Sequence, residues 1–524
     1  MELINFEKPA RYLGKEWNVI KKDWERNNVR FLLIYPDIYE IGESNLGLKI
    51  LYDVLNRIDG VLCERSYMPG KDMLLYLKNR GKSIFSLENK KDLKDFDVVG
   101  FSISSELLIT NVLGILDVSG IPLFRSKRNS FPLICAGGES CINPLPFEEF
   151  FDFIFIGEAD EAIREIASII KEGKGLKKDE LLKRISEIEG VYVPEISEEV
   201  KKRYVDINKN LLPENYVMPL IRSEHDRLTV EVMRGCTRRC KFCQAKKYYF
   251  PLRIRKKENV INFILKQLDK TGYEEVSLAG LNVTEHPEIE DIISELIKYF
   301  KNKAISISIP SMGCTKRAIE VCKKLFELKR VNLTFAPEVA NENIRKKIGK
   351  VFDEEEFLRE LSDLRYFGVR RVKLYFILGL PYEGSDNIDE LSNMIKRWRR
   401  ATKLEFNLSF SFLVPKSHTE FERTGFKGID YFEEKTKEIR KKIKAKINFH
   451  DLKKSFLEAV ISRGDRGLNS VIYRASKKGS IFDEWKEVDN FKIWIEAFGE
   501  EGIDPYELAG REIKDELPWS FIKC

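Results

Sequence analysis

Arg234-Gly235-Cys236-Thr237-Arg238-Arg239-Cys240-Lys241-Phe242-Cys243 decides the fold and most of the chemistry of this 524-residue chain. Its cysteines are spaced Cys-x3-Cys-x2-Cys and directly follow an apolar strand, Leu228 to Met233. Three thiolates on one short loop can each hold one iron of a cubane cluster. The fourth iron then has no protein ligand, and an open metal position is where chemistry occurs, whereas four ligands close a site. Zinc is the alternative. It calls for a fourth Cys or His nearby, and Cys314 and Cys322 lie far downstream with seven residues between them.

Around the loop the chain alternates strand and helix patterns. Leu228 to Met233, Glu275 to Ala279, Ala304 to Ile309, Val331 to Phe335, Arg371 to Leu378 and Glu405 to Val414 are six strand candidates. Helical patterns such as Val260 to Asp269 and Ile289 to Phe300 separate most of them. Six such units predict a partial (β/α)6 barrel over 226–430, with the cysteine loop at the carboxyl end of its first strand, where barrel active sites form. Upstream, Val29 to Tyr35, Asp97 to Ile103, Pro132 to Ala136 and Phe153 to Ile156 are short apolar strands, and Leu46 to Ile58 has helical spacing. That pattern predicts an α/β class, with a Rossmann-like parallel sheet over 1–175 whose ligands would sit at the strands' carboxyl ends. Residues 176–225 are charge-rich and read as a helical excursion and linker. Residues 431–524 read as a small, mainly helical C-terminal region, basic at first and then an appended domain.

Composition sets the limits. Hydrophobic residues are 43% and aromatics 11%, enough for real cores, which excludes a disordered chain. Lys and Arg number 90 against 84 Asp and Glu, a net +6, so the chain is not a polycation. No stretch approaches ~18 uninterrupted apolar residues, and the N-terminus does not read as a secretory signal. Nine cysteines, odd and few for this length, suit a reducing, cytoplasmic setting.

The cysteine loop resembles the signature of the radical S-adenosylmethionine (radical SAM) superfamily, including the aromatic Phe242 before the last cysteine. The resemblance implies a [4Fe–4S] cluster on Cys236, Cys240 and Cys243 whose fourth iron chelates the methionyl end of S-adenosylmethionine. One electron from a flavodoxin- or ferredoxin-type donor then cleaves the sulfonium, and a 5′-deoxyadenosyl radical takes hydrogen from substrate. It also implies cofactor contacts at matching strand ends. Gly280, in Ser277-Leu278-Ala279-Gly280, falls where the superfamily receives the amino group, although the usual Gly-Gly-Glu is missing. Glu338 is the candidate for the ribose, and Ile377 and Gly379 for adenine. Taken alone these read as an ordinary strand turn, a helix-start acid and barrel core. Phe412 to Thr419 reads as a substrate-side loop without a catalytic assignment. Cys314 and Cys322 read as buried structural thiols, the alternative being a second cluster.

The N-terminal pattern is similar to the cobalamin-binding domain attached to many radical SAM enzymes. The matching pieces are Pro36-Asp37, Asn45-Leu46-Gly47-Leu48, Val99-Gly100-Phe101-Ser102, Gly137-Gly138 and Ile156-Gly157-Glu158. With Ser462-Arg463-Gly464-Asp465-Arg466, nearly the whole chain resembles a radical SAM family of unassigned substrate. The four His are His225, His286, His418 and His450, so this domain has no lower-face His ligand. Two readings stay open: cobalamin held without His, or a scaffold or lid.

Lys246 to Lys257 (KKYYFPLRIRKK) combines cations with Tyr248, Tyr249 and Phe250, and Tyr431 to Lys454 adds more lysines. Such mixtures suit an RNA backbone and stacked bases, although charge runs are commonly only solvated faces. Three functions follow: a radical enzyme that transfers methyl or methylthio groups to RNA or a ribosomal component; one of small-molecule metabolism; or a non-enzymatic iron-sulfur or zinc protein that binds RNA.

Overall fold

A computed structural model describes residues 2–209, 212–310, 312–328 and 333–524. The chain forms two compact units, one of Met1–Asp226, Val460–Leu508 and Asp515–Cys524, the other of Arg227–Ala459 and Ala509–Lys514.

The first unit is built on six strands: β1 (Val29–Tyr35), β2 (Val61–Tyr67), β3 (Val98–Ser102), β4 (Leu133–Gly137), β5 (Phe153–Phe155) and β6 (Val191–Tyr192). Their order is β2-β1-β3-β4-β5-β6, with the first five parallel and β6 antiparallel. The four expected strands are present. β2 is an addition, because Glu64, Arg65 and Ser66 interrupt its apolar pattern although all seven residues are buried. Arg65 explains this burial. Its guanidinium donates to Glu16 (3.0 Å), to Glu88 (2.8 Å) and to Glu43, while Lys49 donates to Glu43 at 2.7 Å. A buried cation of this kind persists only when its donors are matched.

Strand order reverses between β1 and β3, the switch point at which ligands of such sheets bind. Here the chain itself covers it. Asn111 accepts from the Phe482 backbone at 2.7 Å and donates to the Pro36 carbonyl at 2.8 Å. The Trp485 indole donates to Asp37 at 3.0 Å, Thr110 donates to Asp483 at 2.8 Å, and Ser105 donates to Glu484. Phe482 is fully buried.

The domain boundaries therefore differ from those expected. Residues 176–225 belong to the first unit, with a helix Lys178–Ser186 and β6 in the sheet. Residues 431–524 are not one appended domain, since 460–508 pack into the first unit. A two-residue strand, β7 (Val200–Lys201), pairs in parallel with the last two strand residues of the chain, Ile522–Lys523. Composition cannot register pairings more than 300 residues apart.

The second unit is a partial barrel. β8 (Leu228–Glu231) leads through β9 (Met233–Arg234) into the cysteine loop, and β9 pairs antiparallel with β10 (Arg253–Ile254). β11 (Glu275–Ala279) and β12 (Ser306–Ser308) join β8 in a parallel sheet ordered β12-β11-β8. β13 (Thr334–Glu338), β14 (Arg371–Leu378), β15 (Glu405–Phe412) and β16 (Lys446–Phe449) form a second parallel sheet in that order. Of the strand expected from Val331, the first two positions, Val331 and Asn332, lie outside the described residues. β16 makes a seventh parallel strand beyond the six expected. Helices such as Lys257–Thr271 and Ile289–Phe300 bury Val260, Ile264, Ile292 and Leu296. Each such side chain contributes about 1.5–3 kcal/mol. No helix among the described residues is long and apolar enough to cross a membrane.

Candidate active site

The carboxyl ends of the barrel strands carry the cysteine loop. Gly235 starts it at φ +94°, where a Cβ would lie 2.8 Å from the Pro251 carbonyl oxygen, so a side chain is excluded. The loop then presents Cys236 and Cys243 half-buried and Cys240 buried. The Arg238 backbone N–H donates to the Cys236 sulfur at 3.4 Å. A second segment clasps the loop from outside. Lys241 N–H donates to the Ile348 carbonyl at 3.0 Å, and Gly349, at φ +74°, packs so closely that a Cβ would meet the Arg239 oxygen at 2.1 Å. On another side, Glu420 N–H donates to the Lys241 carbonyl at 3.1 Å and the Gln244 amide donates to the Ser417 hydroxyl at 3.0 Å.

Of the candidate cofactor residues, Phe242, Ile377 and Glu338 are tied to this loop or its clasp, whereas Gly379 packs against Phe432 and Glu383. Phe242 packs against an apolar cluster that includes Val339, Ile348, Ile377, Leu380 and Leu413, so Phe242 and Ile377 share one wall. Glu338 ends β13 with a left-handed backbone, φ +67°, uncommon for a non-glycine residue. Its carboxylate is buried and accepts from Lys350 at 2.9 Å. Burial raises the Glu338 pKa, with Lys350 opposing. Gly379 N–H is held by both oxygens of Glu383 at 3.0 Å, and Tyr431 donates to the same carboxylate at 3.1 Å. Gly280 ends β11 against Met233, which leaves no space for a side chain.

Three residues escaped the sequence reading. Lys350 sits in the clasp, within the lysine-rich run Arg345 to Lys350, where nothing separates it from solvated neighbours. Burial works to lower its pKa, but Glu338, Cys240 and Cys314 outweigh burial and raise it. Asn282, two residues past Gly280, is buried, and its amide nitrogen has no hydrogen-bond partner among the described residues. A buried donor left unpaired costs about 1–3 kcal/mol and calls for an explanation such as a ligand. Glu383 is the third.

The aromatic-basic stretch after the loop is split, with Phe250 63% exposed and two of its residues turned inward. Tyr248 is buried, and Arg255 is buried with its Nε donating to the Glu231 carbonyl at 3.0 Å. In the substrate-side loop, Lys416 pairs with Glu458 at 2.6 Å and His418 N–H donates to Glu422 at 2.7 Å. Cys322 contacts the Met312 sulfur at 3.4 Å, apart from Cys314, whose thiol is close to the Lys350–Glu338 pair.

Among the described residues, no three His, Cys, Asp or Glu side chains converge as the ligands of a single ion would. A cubane does not need such convergence, because each thiolate takes its own iron. Burial pushes the Cys240 thiol up to about 11, with Lys350 drawing it down. A coordinating metal would deprotonate it outright. Donor type and spacing fit the cluster. The switch point of the first unit, covered by Phe482 and Trp485, does not offer a corrin the same fit.

Residues 47–194 match a family described as "Radical SAM proteins, N-terminal", and residues 230–395 match "Radical SAM superfamily". An uncharacterized protein of Methanocaldococcus jannaschii is 25% identical over 485 residues, 90% of this chain and 97% of the relative. A tRNA-2-methylthio-N(6)-dimethylallyladenosine synthase of Clostridium botulinum is 26% identical over 236 residues, 42% of this chain, which spans half the length of that relative. The ribosomal protein uS12 methylthiotransferase RimO of Thermoanaerobacter is 20% identical over 356 residues, 64% of this chain and 72% of the relative. Among solved structures, the radical S-adenosylmethionine methyltransferase TsrM of Kitasatospora setae, with cobalamin and a [4Fe–4S] cluster bound, superposes at TM-score 0.53 and 12% identity over 75% of this chain and 77% of its own. The cobalamin-dependent enzyme OxsB superposes at 0.51 and 14% identity over 95% of this chain and 78% of its own. These structural likenesses concern the fold.

Proposed function

This chain belongs to the radical SAM superfamily, and from that premise we propose that Cys236, Cys240 and Cys243 hold a [4Fe–4S] cluster whose fourth iron takes the methionyl end of S-adenosylmethionine. Bound there, cluster and S-adenosylmethionine supply reductive cleavage of the sulfonium to a 5′-deoxyadenosyl radical, with the electron coming from a flavodoxin- or ferredoxin-type donor. The observation that carries the reading is the three-thiol loop at the strands' carboxyl ends, hung from Gly235 and clasped by 348–350.

The chain's own residues bind and shield. Phe242 and Ile377 form an apolar wall that excludes water from the reacting region. Lys350 fixes the Glu338 carboxylate, which faces the ribose hydroxyls. The backbone at Gly280 and the unpartnered Asn282 amide receive the methionyl amino and carboxylate groups, and Gly379 lies beside adenine. No step is assigned to cobalamin, because Phe482 and Trp485 stand at the sheet's switch point.

The reaction we infer is methyl or methylthio transfer to RNA or a ribosomal component. Its support is the pair of relatives named for those products, a tRNA methylthio synthase and a ribosomal protein methylthiotransferase. Anaerobic reconstitution with iron and sulfide, followed by reductant and S-adenosylmethionine, tests the chemistry through 5′-deoxyadenosine. Mass spectrometry of RNA and ribosomal proteins from a strain lacking the protein tests the substrate. An unchanged nucleoside and ribosomal-protein profile would remove this substrate class.

A further inference from the structure

The amino-terminal edge of the second sheet, opposite the cysteine loop, is crowded with cations. β14, β15 and β16 run parallel, with Arg371 level with Glu405 and Asn407 level with Lys446. The segments that lead into them, 365–371, 396–405 and 440–446, hold three, five and five Lys or Arg and one acid, Glu405. Elsewhere the chain nearly balances its charges, so this imbalance is local. Arg397 pairs with Glu354, Arg399 with Glu405 and Lys442 with Asp389. Lys396, Arg400, Lys403, Lys441, Lys444 and Lys446 are exposed and have no acidic partner among the described residues.

Helix C-termini favour cations, which accounts for Arg399, Arg400 and Lys441 in the last turns of Asn387–Thr402 and Ile429–Lys442. It does not account for Lys444, Lys446, Arg370 and Arg371, which lie beyond any helix, nor for Lys396, more than one turn from the end. One further feature points to the partner. Tyr366 stands 92% exposed in the turn between Arg365 and Arg370, while its neighbour Phe367 packs on Phe326. An unpartnered aromatic ring amid unpaired cations is how proteins take up nucleotide chains, phosphates on the cations and a base on the ring.

We propose that this basic edge, with Tyr366, is an RNA-docking surface, separate from the face on which the cysteine loop opens. It deepens the reading of an RNA-borne substrate. β14, with eight residues, spans about 26 Å, and a folded RNA longer than that can rest on this edge while another part of it reaches the opposite face.

The test uses the full chain and a fluorescein-labelled RNA of tRNA size, with fluorescence anisotropy read across a salt series and heparin as a second probe. The triple variant Lys396→Glu/Arg400→Glu/Lys444→Glu is expected to bind RNA at least roughly tenfold more weakly, with a shallower salt dependence. Tyr366→Ala is expected to weaken RNA binding by roughly tenfold and to leave heparin binding unchanged. Circular dichroism checks folding, and Lys444→Gln with Tyr366→Ala replace the triple variant if it fails to fold. Wild-type affinity and salt slope in the variants overturn the proposal. So does equal loss of heparin and RNA in Tyr366→Ala, which marks a generic anion surface, or binding of a ribosomal protein without RNA. 5′-Deoxyadenosine formed without RNA reports separately on the cluster reading and is expected to be unchanged in every variant.

Discussion

Lys350 donates to Glu338 at 2.9 Å within the barrel's cysteine-bearing end, and its ammonium acts on the thiols of Cys240 and Cys314 more strongly than the carboxylate does. The pair thus joins a buried carboxylate to a half-buried ammonium next to the clasped loop. Breaking it leaves an uncompensated buried charge. Lys350→Met is expected to cost about 3–5 kcal/mol, and adding Glu338→Gln to recover most of that loss. Urea denaturation of both single variants and the double variant measures the coupling. Strictly additive losses would show that the two side chains do not depend on each other.

Each cluster cysteine is expected to be indispensable. Replacement of Cys236, Cys240 or Cys243 by Ala abolishes 5′-deoxyadenosine formation and the electron paramagnetic signal of the reduced cluster, while Cys322→Ala keeps both. Full activity in any of the first three refutes its assignment as a ligand.

Gly349 fixes the loop from outside. A methyl group there would meet the Arg239 carbonyl oxygen at 2.1 Å, at a backbone angle that L-residues rarely adopt. Gly349→Ala is expected to cost about 1–3 kcal/mol and to cut iron retained after gel filtration, with secondary structure kept. Iron content equal to wild type would mean that the clasp is dispensable.

Glu88 introduces a pH dependence in the first unit. Burial pushes its pKa up to about 7, against 4.5 for an exposed carboxyl, with Arg65 opposing the shift. A carboxyl raised in this way contributes its full stability below about pH 4.5 and loses it as pH climbs through 7. The loss amounts to at most about 3 kcal/mol. Urea midpoints for the first unit are therefore expected to fall between pH 5 and pH 8, and Glu88→Gln to flatten that slope. A midpoint that rises over this range in the wild type contradicts the sign.

Segment 480–485 guards the switch point of the first sheet through Phe482 and Trp485. Cobalamin that lodged there would have to displace it. Stoichiometric uptake, read by absorbance, is therefore expected only together with faster deuterium exchange across 480–485. Uptake with protection unchanged would locate the corrin elsewhere.

Much of this was legible in the chain. The cysteine loop was, because its information is local: a strand, a glycine and a fixed spacing. The parallel strands were, wherever they are apolar throughout. β2 was not, because Arg65 is buried by partners from three other segments. Lys350 was hidden in a run of lysines, and its role depends on Glu338, which the backbone turns toward it. The stretch KKYYFPLRIRKK was legible in part: Phe250 and Lys256 are exposed, yet Tyr248 and Arg255 turn inward, while Tyr366, in an ordinary-looking turn, turns out.

The parallel pairing of Val200–Lys201 with Ile522–Lys523 has a consequence for biosynthesis. The first unit draws its residues from both ends of the chain, with the barrel nested between them. On the ribosome the barrel has its whole sequence before the first unit does. The amino-terminal sheet waits, its switch point bare, until the segment that carries Phe482 and Trp485 has been made. Removing residues 515–524 would therefore perturb the unit that holds the amino-terminal sheet.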